Sequence, residues 1–247
     1  MSYSRAQFDV VIVGAGPAGI FAALELARAD GLSVLLIEKG LAIDRRVCPA
    51  RKSGRCSNCE PCDVTCGWGG AGAFSDGKLT LSTAVGGWLT DFVPGPELMR
   101  LVAYVDAVWR AYGAPEKVHG GQSRKVEEIA RQALLHGVKL IVSPVRHMGT
   151  ENARDVLKRL EDDLVGRVTV LTGGQVERIL TQDGRVRGVR CADGTEYEAP
   201  AVVVAPGRQG AGWLRQELQR LGLRLHTNAV DIGVRVEVPA VVMEPLT

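Results

Sequence analysis

Aromatic residues make up only 5% of this 247-residue chain, and no apolar run reaches the roughly 18 residues that a membrane-spanning helix needs. Charge of one sign is also missing. The formal balance is +2 with acidic and basic residues interspersed, which excludes the basic footprint of a nucleic-acid-binding surface. No internal repeat occurs, so a solenoid is excluded, and no low-complexity linker divides the chain. The opening MSYSRAQFDV lacks the apolar core of a signal peptide. Cysteines are not spread as a disulfide framework spreads them, because five of the six fall within residues 48–66. The expectation is a reducing cytoplasm, with metal or redox use of those thiols.

What is abundant is glycine, with 30 residues, in a chain long enough to bury a sizeable core. FDVVIV (8–13) is a β-branched run suited to a strand buried on both faces. GAGPAG (14–19) follows, then FAALELARA with helical spacing, and SVLLIEK forms a second buried strand ending at Glu38. Gly14, Gly16 and Gly19 thus form G-x-G-x-x-G between a strand and a helix, with an acidic residue nineteen positions after Gly19. The first glycine permits the tight turn, the second lets backbone approach a pyrophosphate, and the third lets helix pack closely on strand. The helix N-terminus adds unpaired N–H donors and a positive dipole end. Glu38 would accept hydrogen bonds from ribose hydroxyls and repel a 2′-phosphate, which argues against NADP. FAD and NAD both remain open on these residues.

Residues 41–92 show no clear period, as expected of a long functional loop. Helices are predicted over PELMRLVAYVDAVWRAYG (96–113), over SRKVEEIARQALLHG with Ser123 as N-cap, and from a Thr150 cap to Leu164. VKLIVS (138–143) reads as a strand. From Val168 the chain reads VTVLTG, QVERILTQ, RVRGVRCA and TEYEA, with Asp183-Gly184 and Asp193-Gly194 at hairpin spacing. AVVVAPG (201–207) is a further buried strand before the helix GAGWLRQELQRLG, and DIGVRVEVP is strand-like.

DVVIVGAGPAGIFAALELA with VLLIEKG resembles the N-terminus of the two-dinucleotide-binding-domain flavoproteins, a glutathione-reductase-like Rossmann superfamily. The resemblance implies FAD at this first unit, with the Glu38-Lys39 pair ending the second strand. It also implies a three-stranded meander, here 175–199, and a return strand VVVAPG. Val176 matches the position whose backbone meets the adenine, and Ala205 and Gly207 match the return-strand contacts, with Pro206 where threonine is commoner. The expected fold is therefore α/β: a Rossmann-like FAD-binding domain with a parallel sheet and a three-stranded β-meander, and the start of a second, substrate domain.

GWGGAGAFSDGKLT (67–80), RHMGTENARDVLKRL (146–160) and GVRVEVP (233–239) are similar to the FAD-dependent dehydrogenases of bacteria and plastids. Members of that family continue past the GVRVE strand to another FAD segment, so the chain is expected to be an N-terminal fragment. Its expected divisions are 1–94 with a Cys-rich loop 45–80, an insertion 95–165, a return 166–229, and 230–247 opening the substrate domain. Gly70 and Gly72 would turn backbone N–H groups toward the cofactor. Lys78 would offer positive charge to a phosphate or to the N1 side of reduced flavin. Asp76 reads as a turn residue, and His147 either as a proton donor or substrate contact or as a satisfied structural histidine. His119, His136 and His226 read as structural or exposed, and the basic run Arg45, Arg46, Arg51, Lys52 and Arg55 as a solvated loop, with offset of thiolate charge or contact with the FAD pyrophosphate as alternatives.

CSNCEPCDVTC (56–66) places Cys56, Cys59, Cys62 and Cys66 at C-x2-C-x2-C-x3-C, the bacterial ferredoxin run. Cys48 is an alternate ligand, and Gly67 stands where ferredoxins have proline. A [4Fe–4S] cluster, a thiolate zinc site, a dithiol exchanging electrons with flavin, or no special role all remain open. The leading expectation is a cytoplasmic FAD-dependent oxidoreductase. The alternatives are a FAD- or metal-binding fragment without turnover and an NAD-dependent dehydrogenase.

Overall fold

The computed structural model describes residues 5–227, 232–234 and 237–244. Strand β1 (Arg5–Gln7) leads into β2 (Val10–Val13), helix α1 (Pro17–Leu26) and β3 (Val34–Glu38). A short α2 (Ala50–Ser53), a 3-10 turn at Gly70–Phe74 and β4 (Lys78–Thr80) occupy the long aperiodic stretch. Then come α3 (Gly95–Ala111), β5 (Val118–His119), α4 (Arg124–Leu135), β6 (Val145–His147) and α5 (Thr150–Leu164). Strands β7 (Thr169–Thr172), β8 (Val176–Gln182), β9 (Arg185–Cys191), β10 (Glu196–Glu198) and β11 (Ala201–Val204) precede α6 (Ala211–Arg220) and α7 (Ala240–Met243).

The described residues form three sheets. The central one runs β11-β2-β3-β7 with every pair parallel. The second runs β1-β10-β9-β8, in which the β8-β9-β10 meander is antiparallel and β1 joins β10 in parallel. A small antiparallel sheet, β4-β6-β5, ties the aperiodic stretch to the residues before α5.

Strand alternation explains the layering. Val10, Ile12, Val34 and Leu36 belong to a core with α1, α3 and α5, whereas Val11, Val13, Leu35 and Ile37 pack against the meander through Val176, Val189 and Ala199. The parallel sheet is therefore covered on both faces, as its continuous apolar strands require. In α5, Val156, Leu157, Leu160 and Leu164 are buried in the first core, so this helix is the crossover that brings the chain back to β7. The β8–β9 hairpin turns on Asp183 and Gly184 with φ of 52° and 73°, the left-handed pair a two-residue turn demands.

Local signals hold in most places. Pro17 stands in the first turn of α1, and Ser123 Oγ accepts the Val126 N–H at 3.3 Å as the N-cap of α4. Two expectations are corrected. VKLIVS is not a strand: Val138, Leu140 and Ile141 are exposed, and pairing begins only at Val145, beyond Pro144, which has no N–H to give a ladder. Thr150 is the first helical residue of α5, and the N-cap is Gly149, whose φ of 78° suits glycine. Much of the strand-like DIGVRVEVP, and of the 230–247 segment assigned to a second domain, lies outside the described residues. Within it, residues 232–234 and 237–239 carry no strand.

Candidate cofactor site

The three glycines of the first turn differ in what confines them. A Cβ on Gly14 would stand 2.3 Å from the Ala205 carbonyl oxygen, and one on Gly19 would stand 1.8 Å from the Gly14 carbonyl oxygen. Both positions are closed by backbone. A Cβ on Gly16 would meet no protein atom within 4 Å, because Gly16 faces open space at the N-terminus of α1. Gly70, with φ of 60°, comes from the far loop to within 3.2 Å (as Cβ) of the Gly16 Cα.

Glu38 ends β3 and is buried, with 6% exposure. Its Oε1 accepts the N–H groups of Gly40 and Gly67, each at 2.9 Å, and Oε2 accepts the Ala15 N–H at 2.8 Å. A carboxylate oxygen has about two acceptor positions, so Oε2 retains one. One side chain thus joins the glycine turn, the end of its own strand and the end of the Cys-rich loop.

Arg46, expected to be solvated, is fully buried instead. It donates to the carbonyls of Asp63 (3.0 and 2.7 Å), Val64 (3.2 Å), Trp68 (2.6 Å) and Gly70 (2.8 Å), and its guanidinium lies 5.0 Å from the Phe74 ring centroid. Burial pulls its pKa below the usual value, against the opposing pull of Glu38, Asp63 and Cys66. Trp68, also fully buried, donates Nε1–H to the Leu157 carbonyl at 2.8 Å. These two side chains fix the loop in which sequence periodicity was absent.

The arrangement encloses a cavity of about 550 Å³. Gly14, Gly16, Glu38, Lys39, Gly70 and Gly72 line it, and so do Val176, Ala205 and Gly207 from the meander and the return strand. Gly19 is not on its wall and acts through the helix–strand approach. Residues not singled out in the sequence also line it, among them Arg208, Gln175 and Trp213, whose Nε1–H is held by the Glu177 carbonyl at 2.8 Å. Trp213 sits at the start of an ordinary amphipathic helix, and no local signal marks it.

A second cavity of about 390 Å³ lies beside the first, with Pro17 and Gly72 lining both. Its walls include Phe21, Val105, Trp109, Met148 and Leu157, and Lys78 lines it as well. Lys78 is the register partner of His147 across β4 and β6. Asp76 bridges them, with Oδ2 2.8 Å from Lys78 Nζ and 3.7 Å from His147 Nε2. The Lys78 hydrogen bond, aided by the Lys78 charge, holds the Asp76 carboxyl below its usual pKa. His119 stands edge-on to His147 at 6.4 Å between ring centroids. Asp76, read as a turn residue, also pairs with Lys78.

All six cysteines are free thiols. Cys56 and Cys59 are exposed, Cys48 and Cys62 half-buried, and Cys66 is buried with its residue on the wall of the larger cavity. Among the described residues no group of three or more His, Cys, Asp or Glu side chains is placed to hold a metal ion. The thiols as arranged do not fit a closed four-thiolate centre. Among the described residues no helix is long and apolar enough to cross a membrane.

A glycine-rich turn at a helix N-terminus, an acidic strand end and a meander around one cavity define a Rossmann-type dinucleotide-binding fold. Residues 9–54 match the FAD dependent oxidoreductase family. An uncharacterized protein of Clostridium beijerinckii is 32% identical over 235 residues, which cover 93% of this chain and 36% of that protein. The L-amino acid deaminase of Proteus myxofaciens is a structural neighbour at 19% identity and TM-score 0.48, with 91% of this chain and 51% of that one covered. The 3-ketosteroid-Δ4-(5α)-dehydrogenase of Rhodococcus jostii RHA1 matches at 20% identity and TM-score 0.48, covering 83% and 46%. The chain therefore spans about a third of that sequence relative and about half of each of those structures.

Proposed function

We propose that the protein is an FAD-dependent dehydrogenase whose larger cavity holds the adenosine and pyrophosphate of FAD. One observation carries this reading: Gly14, Gly16, Glu38, Gly70, Gly72, Val176, Ala205 and Gly207, dispersed over nearly 200 residues of sequence, line a single cavity. Its volume, about 550 Å³, is within the ordinary range of cofactor sites. The match of residues 9–54 to FAD dependent oxidoreductases favours FAD over NAD.

FAD supplies hydride-transfer chemistry when bound. The chain's own part is positioning. Open space at Gly16 lets backbone approach the pyrophosphate, and the N-terminus of α1 directs N–H groups and a positive dipole end at it. Glu38 Oε2 keeps an acceptor site for a ribose hydroxyl, and its negative charge disfavours a 2′-phosphate. Val176 walls the adenine end, while Arg208 and Lys39 add positive charge beside the phosphates. Lys78 lines the neighbouring cavity, which shares Pro17 and Gly72 with the first, and would offer positive charge to a reduced flavin.

The crowding of five of the six cysteines into residues 48–66, unlike a disulfide framework, favours a reducing, cytoplasmic setting. Reconstitution with FAD tests the proposal. Bound flavin that bleaches with dithionite and recovers in air supports an oxidoreductase, and a chain that binds no flavin refutes it.

A further inference from the structure

Helix α4 (Arg124–Leu135) holds no buried residue. A helix of 12 residues is marginal in water by itself and draws its stability from packing. Val126, Ala130 and Ala133 are half-buried and turn toward the body of the protein. Arg124, Glu128, Arg131 and Leu135 are exposed and follow one another at i, i+4, i+7 and i+11, which sets them along one stripe on the opposite side. Among the described residues, none of the three charged members of that stripe is in an ion pair.

Apolar side chains border the stripe at its C-terminal end. Leu134 and Leu135 are each 70% exposed. Val138 is 59% exposed and is tied back to the helix end by its N–H, which donates to the Ala133 carbonyl at 2.9 Å. Neighbouring apolar side chains held open to water in this way mark a surface that meets a partner.

The order of charges says which partner. A two-fold axis crossing α4 at right angles between Ile129 and Ala130 exchanges position 128 with 131 and position 124 with 135. Glu128 of each copy then faces Arg131 of the other, and Leu135 lies along the methylene stem of Arg124. The stripe is its own complement when run antiparallel, a property that only a second copy of the same helix uses.

We propose that the outer face of α4 is a contact between two copies of this chain, packed antiparallel about a two-fold axis between Ile129 and Ala130. Leu134, Leu135 and Val138 exclude water beside the two Glu128–Arg131 pairs, which strengthens those pairs. One helix face per copy is less than a permanent interface spans, so the dimer forms and parts with concentration. None of these residues lines either cavity, so the contact stands apart from the FAD reading.

Sedimentation velocity of the full chain over a rising concentration series tests this. The wild type is expected to pass from monomer to dimer. Glu128→Arg and Arg131→Glu each set like charges opposite one another and are expected to raise the dimer dissociation constant about tenfold or more. An equimolar mixture of these two variants is expected to dimerise as the wild type does, because each meets its opposite charge on the other. The double variant, with both charges exchanged, is expected to recover self-association. Both side chains are exposed, so the fold accommodates the changes. A wild-type chain that stays monomeric at every concentration shows that this face takes another occupant and overturns the proposal. A dimer indifferent to both single variants, or a mixture of them that stays monomeric, overturns it as well.

Discussion

Gly67 donates its backbone N–H to Oε1 of Glu38 at 2.9 Å, which joins the end of the Cys-rich loop to the strand end that faces the cofactor cavity. Gly67 takes φ of 108° there, and Gly40 packs so close that a Cβ on it would stand 2.3 Å from the Gly67 nitrogen. The residue standing where a ferredoxin has proline is therefore a glycine with an N–H to give. Proline would remove that donor.

Glu38→Gln is expected to weaken both folding and cofactor binding. A glutamine has one acceptor oxygen for three inward-pointing N–H groups, and its amide nitrogen would face at least one donor. A buried donor left unsatisfied costs about 1–3 kcal/mol. Urea unfolding of the apo chain measures the first effect, and FAD titration the second. An unchanged urea midpoint would contradict the role given to this carboxylate.

The glycines of the first turn separate folding from binding. Gly19→Ala drives a methyl into the Gly14 carbonyl and is expected to prevent native packing. Gly16→Ala meets no protein atom and is expected to fold normally while losing FAD affinity, because its methyl projects toward the cofactor. Circular dichroism melts with flavin titration on both variants check the contrast. Equal loss of stability in the two would remove it.

Thiol reactivity should follow environment. Backbone N–H groups of Val64 and Thr65 lower the Cys62 thiol pKa, whereas burial pushes Cys191 up to about 11. Iodoacetamide at pH 7 is expected to label Cys62 ahead of Cys56 and Cys59, leaving Cys66 and Cys191 for the unfolded chain. Mass spectrometry of timed digests gives the order, and early labelling of Cys191 would contradict it.

Glu217 on α6 is buried, which pushes its pKa up, but hydrogen bonds from Arg220, the Ile179 N–H and Arg178 outweigh that and hold it below its usual value. A carboxyl whose folded pKa is depressed stabilises above its unfolded pKa, and the contribution fades as pH falls through the folded value. Stability should therefore drop on acidification below about pH 4.5, and Glu217→Gln should remove part of that slope as well as weakening the fold at pH 7. Urea midpoints across the acid range test this, and parallel curves for the two proteins would contradict it.

The Rossmann half was legible because its signals are local. The strand VVIV, Pro17 in the first turn of α1, the acidic end of VLLIE and the Asp183-Gly184 hairpin each declare themselves within a few residues. What was not legible depends on partners far along the chain. Arg46 looks like one of five solvated basic residues until Asp63, Trp68 and Gly70 turn their carbonyls onto it. VKLIVS has strand composition but no partner strand, and composition does not supply one. The pairing of Lys78 with His147 spans 69 residues and shows only in the register of β4 and β6. Cysteine spacing left a metal centre, a dithiol and no special role all open, because spacing along the chain says nothing of whether the thiols converge.

The most direct test of FAD binding in the larger cavity is gel filtration of the chain after incubation with FAD, with the visible spectrum read across the protein peak for wild type and Gly16→Val. The expected result is one flavin travelling with each wild-type chain and none with a folded Gly16→Val. Flavin eluting free of the wild-type protein, or accompanying both proteins equally, would contradict it.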